Sequence, residues 1–208
     1  MKNMKQLSVI AIAAIFMASC STNIPMSTSI DDEVIYDLEV NDSISVVFLL
    51  ENQLANGSFF QYEKEANSPL LPVQDELVYN EYVVLNQMLG DFMRYRFANT
   101  SGSNPAQIKI GLKSVTISSE VTENDGATGM NSLLFRPTTR LYTAEVQVEV
   151  TITHGGQIHT RSIYGRSNAM GESFRKTKAD VNAFSTVLNS ANNRVVYFTN
   201  QFLRDRGL

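Results

Sequence analysis

A stretch of strict alternation in the last third of the chain constrains the fold most strongly. Apolar residues occupy every second position, at Tyr142, Ala144, Val146, Val148, Val150 and Ile152. A period of two is that of a β-strand with one face buried and the other in water. We therefore expect Val146 and Val148 to point into a core, while Glu145 and Glu149 point to solvent.

Shorter patterns predict the other strands. Gly155-Gly156 should turn the chain into a second strand over residues 157–164, which gives an antiparallel hairpin. The run 44–50, ISVVFLL, is almost wholly apolar and predicts a strand buried on both faces. Residues 108–117 alternate with a change of phase at Lys113-Ser114, which either a β-bulge or burial of both faces would explain. The polar stretch 119–139 indicates an extended hairpin connection or a flap.

Two long stretches repeat apolar residues every three or four positions, which predicts amphipathic helices. The first runs from about Asp75 to Ala98 and the second from about Ala179 to Arg204. One face of the first carries Leu77, Glu81, Leu85, Met88, Phe92 and Tyr95. The stripe of the second consists of Ala179, Ala183, Val187, Ala191, Val195, Phe198 and Phe202. Small residues early in this second stripe favour a close approach to a sheet.

The order of elements predicts the fold class. A strand, a long helix, a strand, a hairpin and a long helix follow one another along residues 34–208. This order predicts an α+β domain, a two-layer sandwich in which a mainly antiparallel sheet has both helices packed on one face. The segment has about the length of a single domain.

The N-terminal residues carry a targeting signal. Lys2 and Lys5 precede an apolar run from Leu7 to Met17, which is the pattern of a signal peptide over residues 1–19. The run is about 11 residues long, shorter than the ~20 that a membrane-spanning helix needs. Residues 20–33 have no apolar period, so we expect a flexible tether there.

The end of the signal peptide, Met17-Ala18-Ser19-Cys20, resembles the lipobox of bacterial lipoproteins, although Met17 stands where that family usually has Leu. The resemblance implies cleavage before Cys20 and anchoring by acyl chains on its thiol. It also implies sorting to the outer membrane, since Ser21 rather than Asp follows. Cys20 is the only cysteine, which excludes an intrachain disulfide. The alternative is an ordinary secretory peptide in which Cys20 is incidental.

The net charge and the absence of catalytic sequence motifs narrow the range of functions that the chain can have. Removal of residues 1–19 takes away two lysines and no acid, which moves the formal charge from −4 to −6. Nucleic acids and anionic lipid headgroups are therefore disfavoured as direct partners, because both attract clustered Lys and Arg. The chain has no Gly-x-Ser-x-Gly elbow, no Gly-x-Gly-x-x-Gly motif and no phosphate-binding lysine loop. We expect neither catalysis nor a cofactor.

The candidate partner-docking element is the segment from Thr128 to Arg140, which leads into the alternating strand. Its predicted binding residues are Leu133, Leu134, Phe135, Arg136 and Arg140. Three successive apolar side chains in a polar connection need cover, because burying each is worth about 1.5–3 kcal/mol. A partner could supply that cover, and so could the domain's own core or a short edge strand.

Two other groups of polar residues are candidate sites. His154 and His159 flank the glycine turn and could form a two-ligand metal site, but structural zinc needs four ligands. We interpret them as exposed turn residues and expect no bound metal. The arginines at positions 136, 140, 161 and 166 could gather into an anion site, or they could be separate surface charges.

The chain resembles small outer-membrane lipoproteins of the YajG or ABC-transport auxiliary type. The matching features are the lipobox at Cys20, the strand at 44–50, the helix from Asp75, the strand pair around 141–164 and the helix to Arg204. The resemblance implies a non-catalytic lipoprotein facing the periplasm, which works with a protein partner in envelope assembly or as an accessory subunit of a transport complex. A periplasmic carrier of a lipid or other small apolar ligand is the alternative, and it would need a cavity between helices and sheet.

Overall fold

The computed structural model describes residues 21–24, 26–36, 40–41, 43–54, 59–63, 76–97, 105–123, 138–173 and 176–208. These residues form an α+β fold. Its strands are β1 (Ser21–Asn23), β2 (Val46–Asn52), β3 (Phe59–Glu63), β4 (Glu76–Asn80), β5 (Ala106–Glu123), β6 (Thr138–His154) and β7 (Gln157–Ser173). Its helices are α1 (Asp32–Tyr36), α2 (Glu81–Arg96) and α3 (Lys176–Arg204). The predicted signal peptide, Cys20 and residues 133–136 lie outside the described residues.

The main sheet is mixed: two of its three strand pairs are antiparallel, as expected for a mainly antiparallel sheet, and one is parallel. Its strand order is β2-β5-β6-β7, and β2 runs parallel to β5 while the other neighbours are antiparallel. Parallel neighbours need a crossover connection, and α2 lies in the chain between β2 and β5. A smaller sheet has the order β1-β4-β3, with β1 parallel to β4.

The alternating strand is confirmed as β6. All six predicted inward residues are buried, and Val146 and Val148 are fully so, while Glu145 and Glu149 remain partly exposed. The phase change in β5 is a bulge, since Leu112 pairs with Val148 but Ser114 pairs with Gln147. The extra residue between them returns Ile117 to the buried face.

The predicted hairpin is also present and is longer than expected. His154 pairs with Gln157 across a two-residue turn in which Gly155 has φ 57° and Gly156 has φ 76°. Positive φ at both central positions suits glycine and matches the twist of the flanking strands. β7 continues to Ser173, well beyond the predicted end at residue 164.

Helix α3 lies against β6 and β7, and its approach to β7 is very close. A Cβ atom at Gly165 of β7 would lie 2.0 Å from the carbonyl oxygen of Ala191. Val187, Ala191 and Val195 of the predicted stripe are fully buried, whereas Phe198 is 41% exposed. Contact between small residues on helix and strand therefore sets the distance between the layers.

Helix α2 begins later than predicted, because residues 76–80 form β4. Asn80 caps the helix, since its side-chain oxygen accepts a hydrogen bond from the backbone N–H of Val83 at 3.2 Å. Asn is a favoured N-cap residue, so this boundary had a local signal that the apolar period obscured. On the predicted apolar face Glu81 is buried at 1% exposure, while Tyr95 is 62% exposed.

The two long helices do not share the sheet equally. α3 covers β6 and β7, while α2 contacts the edge strand β2 and α3. The predicted packing of both helices on one face is therefore shown only in part. None of the described helices has a stretch that is both long and apolar enough to cross a membrane.

Much of the predicted tether is packed on the domain. We call residues 21–24 and 26–36 the N-terminal strap. Ile24 and Val34 are each only 5% exposed and belong to the core. The backbone N–H of Asp31 donates to Oδ1 of Asn193 on α3 at 2.8 Å. The polar composition of the strap hid these contacts, because two apolar residues ten positions apart form no period.

Candidate functional site

Strand β2 forms one edge of the main sheet. It pairs with β5 on one side, and no described strand lies on the other. The prediction that it is buried on both faces is wrong, since Val47 and Leu49 are 55% and 53% exposed. The run is almost wholly apolar, but the helices lie on only one side of it. An edge strand presents unpaired backbone N–H and C=O groups that another chain can pair with.

An apolar groove borders this edge on the helix side. It has a volume of about 260 Å³ and is lined by Val46, Phe48, Gly90, Met93, Arg94 and Phe97. We call it the β2–α2 groove. A Cβ atom at Gly90 would meet no other atom within 4 Å. The missing side chain at this position in α2 therefore helps to keep the groove open.

The hydroxyl of Tyr82 holds the first turn of α2 close to the strand. It donates to the carbonyl oxygen of Leu50 at 3.2 Å. Further along the helix Arg94 pairs with Asp91, one helical turn earlier. Because Asp91 balances much of the Arg94 charge, the groove is chiefly an apolar surface with a polar rim.

The solvent-facing side of the sheet carries a charged cluster. Nζ of Lys109 lies 2.8 Å from Glu51, and Nζ of Lys113 lies 3.0 Å from Glu149. The hydrogen bond from Lys109 lowers the pKa of the Glu51 carboxyl, and a further bond from Gln53 lowers it too. Each carboxylate is thus paired with a lysine across neighbouring strands. The cluster joins β2, β5 and β6 rather than forming an acid–base pair.

A second cavity contains a buried arginine that sequence reasoning missed. Its volume is about 540 Å³, and its lining is Val40, Asn41, Ser43, Arg96, Arg204, Gly207 and Leu208. Arg96 is only 2% exposed, and its guanidinium donates to Oδ1 of Asn200 at 2.7 Å and to the main-chain oxygen of Leu208. These bonds connect α2 to the end of α3, which is a structural role. Arg96 falls near the end of the predicted helix and is not among the residues of its predicted apolar face.

His154 and His159 flank the turn on the neighbouring strands β6 and β7. His159 lies opposite Ile152, and its Nε2 is 3.3 Å from Oε1 of Gln157, which pairs with His154. Within the described parts of the chain, no group of three or more His, Cys, Asp or Glu side chains is placed to hold a metal ion. Both histidines are half-buried rather than exposed, and the expectation of no bound metal stays a prediction.

Of the four arginines considered for an anion site, those at positions 140, 161 and 166 are described, and they do not form one cluster. Arg140 lies opposite Gly171 and donates to Oγ of Ser119 at 3.4 Å, whereas Arg161 lies opposite Val150. Ten strand positions separate these sites, a distance of roughly 33 Å. Arg166 lies opposite Glu145. The structure describes only Arg140 among the predicted partner-binding residues, as part of β6.

No protein-family model and no curated protein matches this chain. Solved structures include distant neighbours. A Xanthomonas campestris protein of the family model DUF330 is 12% identical, with 90% of this chain and 99% of that chain covered and a TM-score of 0.45. Rare lipoprotein B from Shewanella oneidensis is 6% identical, with 76% of this chain and 98% of that chain covered and a TM-score of 0.36. These similarities are too distant to support an argument about function.

Proposed function

We propose that this chain is a bacterial lipoprotein, acylated on Cys20 and held at the outer membrane, which acts without catalysis by docking another protein of the cell envelope. The anchor rests on the apolar run followed by Met17-Ala18-Ser19-Cys20. Several acyl chains anchor stably where a single chain binds only marginally. This role agrees with an accessory subunit of a transport or assembly complex.

The observation that carries the docking role is the exposed apolar edge of β2 beside the β2–α2 groove. An extended segment of the partner can add a strand to this edge through main-chain hydrogen bonds. Side chains on one face of that segment would cover Val47 and Leu49, and those on the other would enter the groove. Each apolar side chain buried in this way contributes about 1.5–3 kcal/mol. The partner is thus a protein segment with apolar residues at alternating positions.

The docking role is tested by filling the groove. Gly90→Leu places a branched side chain between β2 and α2, and Gly90→Ala is the matched control that leaves most of the space. We expect both variants to be anchored and folded, while crosslinking in intact envelopes recovers the partner with Gly90→Ala and loses it with Gly90→Leu. Equal recovery with both variants would contradict docking in the groove.

The anchor is tested by mass spectrometry of the mature protein. Its N-terminal peptide is expected to begin at Cys20 and to carry the mass of acyl chains. Cys20→Ala should leave the chain unprocessed or soluble. An unmodified N-terminus downstream of Cys20 would refute the lipoprotein assignment.

Residues 133–135 remain a second candidate docking element, by sequence alone. Replacing Leu134 and Phe135 together with Ser separates the two interpretations. If they dock a partner, the melting temperature stays unchanged and partner recovery falls. A lowered melting temperature assigns them to the fold and leaves β2 as the docking site.

A carrier of a small apolar ligand is the second candidate function, and the apolar lining of the β2–α2 groove favours it. The groove volume of about 260 Å³ lies just below the ~300–1,000 Å³ of typical small-molecule sites. Solvent extraction of the protein purified from envelopes, followed by mass spectrometry, tests this function. A lipid recovered in equal amount with the protein, and lost in Gly90→Leu, would favour the carrier over protein docking.

A further inference from the structure

The main sheet has a second edge at β7, on the opposite side from β2. β7 is 17 residues long, whereas strands in globular proteins most often have about 5–6 residues. Within the described parts of the chain, β7 pairs with β6 alone. A long edge strand presents a row of unpaired N–H and C=O groups to which another chain can pair, so it needs protection.

The register of the hairpin shows which backbone groups of β7 form this edge. His154 and Gln157 close the two-residue turn as a pair, and in such a turn the last residue donates its N–H to the C=O of the first. In an antiparallel pair, residues bonded to the neighbouring strand alternate with residues whose N–H and C=O point away from it. The even-numbered residues from Ile158 to Met170 therefore direct their backbone groups outward. Arg166 lies near the middle of this row.

One of these outward groups is occupied by a side chain of α3. Nη1 of Arg194 donates to the carbonyl oxygen of Arg166 at 2.5 Å. Both residues are exposed, so the Arg194 guanidinium lies at the open edge of the sheet. A strand added here would displace this guanidinium from the carbonyl and take its charge out of water, which is costly without a partner charge. At the other edge, the segment from Val46 to Leu50 carries no charged side chain.

The exposed apolar residues of β7 indicate what an unprotected edge would pair with. Ile158, Tyr164 and Met170 are all exposed and are spaced evenly, so the outer two are symmetric about Tyr164. If two β7 strands pair antiparallel about a two-fold axis at Tyr164, Ile158 of one copy lies opposite Met170 of the other. A two-fold interface has to be self-complementary in this way. The strand most likely to add at this edge is therefore β7 of a second copy.

We propose that Arg194 closes the outer edge of β7 against pairing with a second copy of this chain. In the two-fold arrangement, the Arg166 carbonyl would accept from Ser162 of the other copy, at the place where Arg194 now donates. The Arg194 guanidinium groups of both copies would also meet near the axis, and like charges brought together in an interface oppose association. Arg194 thus leaves β2 as the edge that can accept a strand, and its role at β7 does not depend on what binds at β2.

Disulfide crosslinking of the full chain in intact envelopes tests this role. Tyr164→Cys places a thiol on the two-fold axis, where opposite residues have Cα atoms about 5.5 Å apart, a distance that a disulfide spans. With Arg194 in place, a mild oxidant should give little covalent dimer. Adding Arg194→Ala should raise the dimer fraction by about tenfold or more, the effect expected for a hydrogen bond to a charged group. Arg194→Lys should keep the fraction low, because it retains a charge at the edge.

Matched variants give the experiment its controls. Thr143→Cys, on the exposed face of β6 between two strands, should give no dimer in either background. The chain without an added cysteine measures any dimer formed through Cys20. If a melting curve shows that Arg194→Ala is unfolded, Arg194→Met keeps the length of the side chain and carries the same test. A low dimer fraction in the folded neutral variant would overturn the proposal, because the edge would be closed without Arg194. A high fraction with Arg194 present would overturn it too, because the edge would then be open.

Discussion

The two halves of the main sheet are covered to different degrees. At β7 the helix α3 is so close that a Cβ atom on Gly165 would lie 2.0 Å from the backbone of Ala191. At β2 the helix α2 leaves a groove, and a Cβ atom on Gly90 would meet nothing within 4 Å. Two glycines thus have opposite roles, since one permits contact and the other maintains a gap.

The difference in helix coverage between the two halves of the sheet does not follow from how apolar their strands are. The β2 run is more continuously apolar than β6, yet Val47 and Leu49 are exposed whereas every second residue of β6 from Tyr142 to Ile152 is buried. The central strand β6 has a neighbouring strand on both sides and a helix across one face, while the edge strand β2 has a neighbouring strand on one side. An apolar surface that its own domain leaves exposed is a candidate for binding, which is the basis of the docking proposal.

The largest expected effect comes from placing a carboxylate in each half of the main sheet, at Val148 in β6 and at Leu49 in β2. Val148→Asp buries an unpaired carboxylate under α3 and should lower the free energy of unfolding by about 3–5 kcal/mol. Leu49→Asp lies on the exposed face opposite Lys109 and should cost less than about 1 kcal/mol. Urea denaturation measures both, with Glu149→Lys as a same-strand control expected to change stability by about 0.5 kcal/mol. Equal losses for the two Asp variants would remove the contrast between the halves.

Adding one methyl group at each glycine gives a smaller effect of opposite sign. Gly165→Ala forces α3 away from β7 and should destabilise the protein by about 1–3 kcal/mol. Gly90→Ala lies in open space within a helix and should stabilise it by about 0.5–1 kcal/mol. Thermal melts of the two variants should therefore move in opposite directions. If both melting temperatures moved in the same direction, either the open space at Gly90 or the close contact at Gly165 would be wrong.

The smallest effect concerns the exposed pair that joins β2 to β5. Because Lys109 lowers the pKa of Glu51 in the folded protein, the pair stabilises the fold above the unfolded pKa, and this contribution is lost as pH falls through the folded value. Lys109→Met should therefore lose less stability than the wild type between about pH 6 and pH 3. Urea midpoints at both pH values measure the difference, which should shrink in high salt because the pair is exposed. An identical acid response in both proteins would mean that the pair does not stabilise the edge.

The candidate site was less predictable than the fold. The apolar run of β2 was found in the sequence but assigned to the interior, since nothing in seven residues shows whether a neighbour covers both faces. Gly90 carried no signal within the helical period. Glu81 was placed on the apolar face of the predicted helix. The burial of Arg96 carried no local signal, because it depends on groups more than a hundred positions away, such as Asn200.

The sequence by itself determined the phase of β6, the change of phase beside Lys113, the turn at Gly155-Gly156 and the close-packing stripe of α3. Each of these depends on local backbone geometry and on periods of two or 3.6 residues, which neighbouring residues encode. Only the tertiary structure decided that β2 is an edge, that β4 precedes α2 and that the strap is docked on α3. Those outcomes depend on which distant segment lies across from each residue, because burial is a property of the pair of surfaces and not of either stretch of sequence alone.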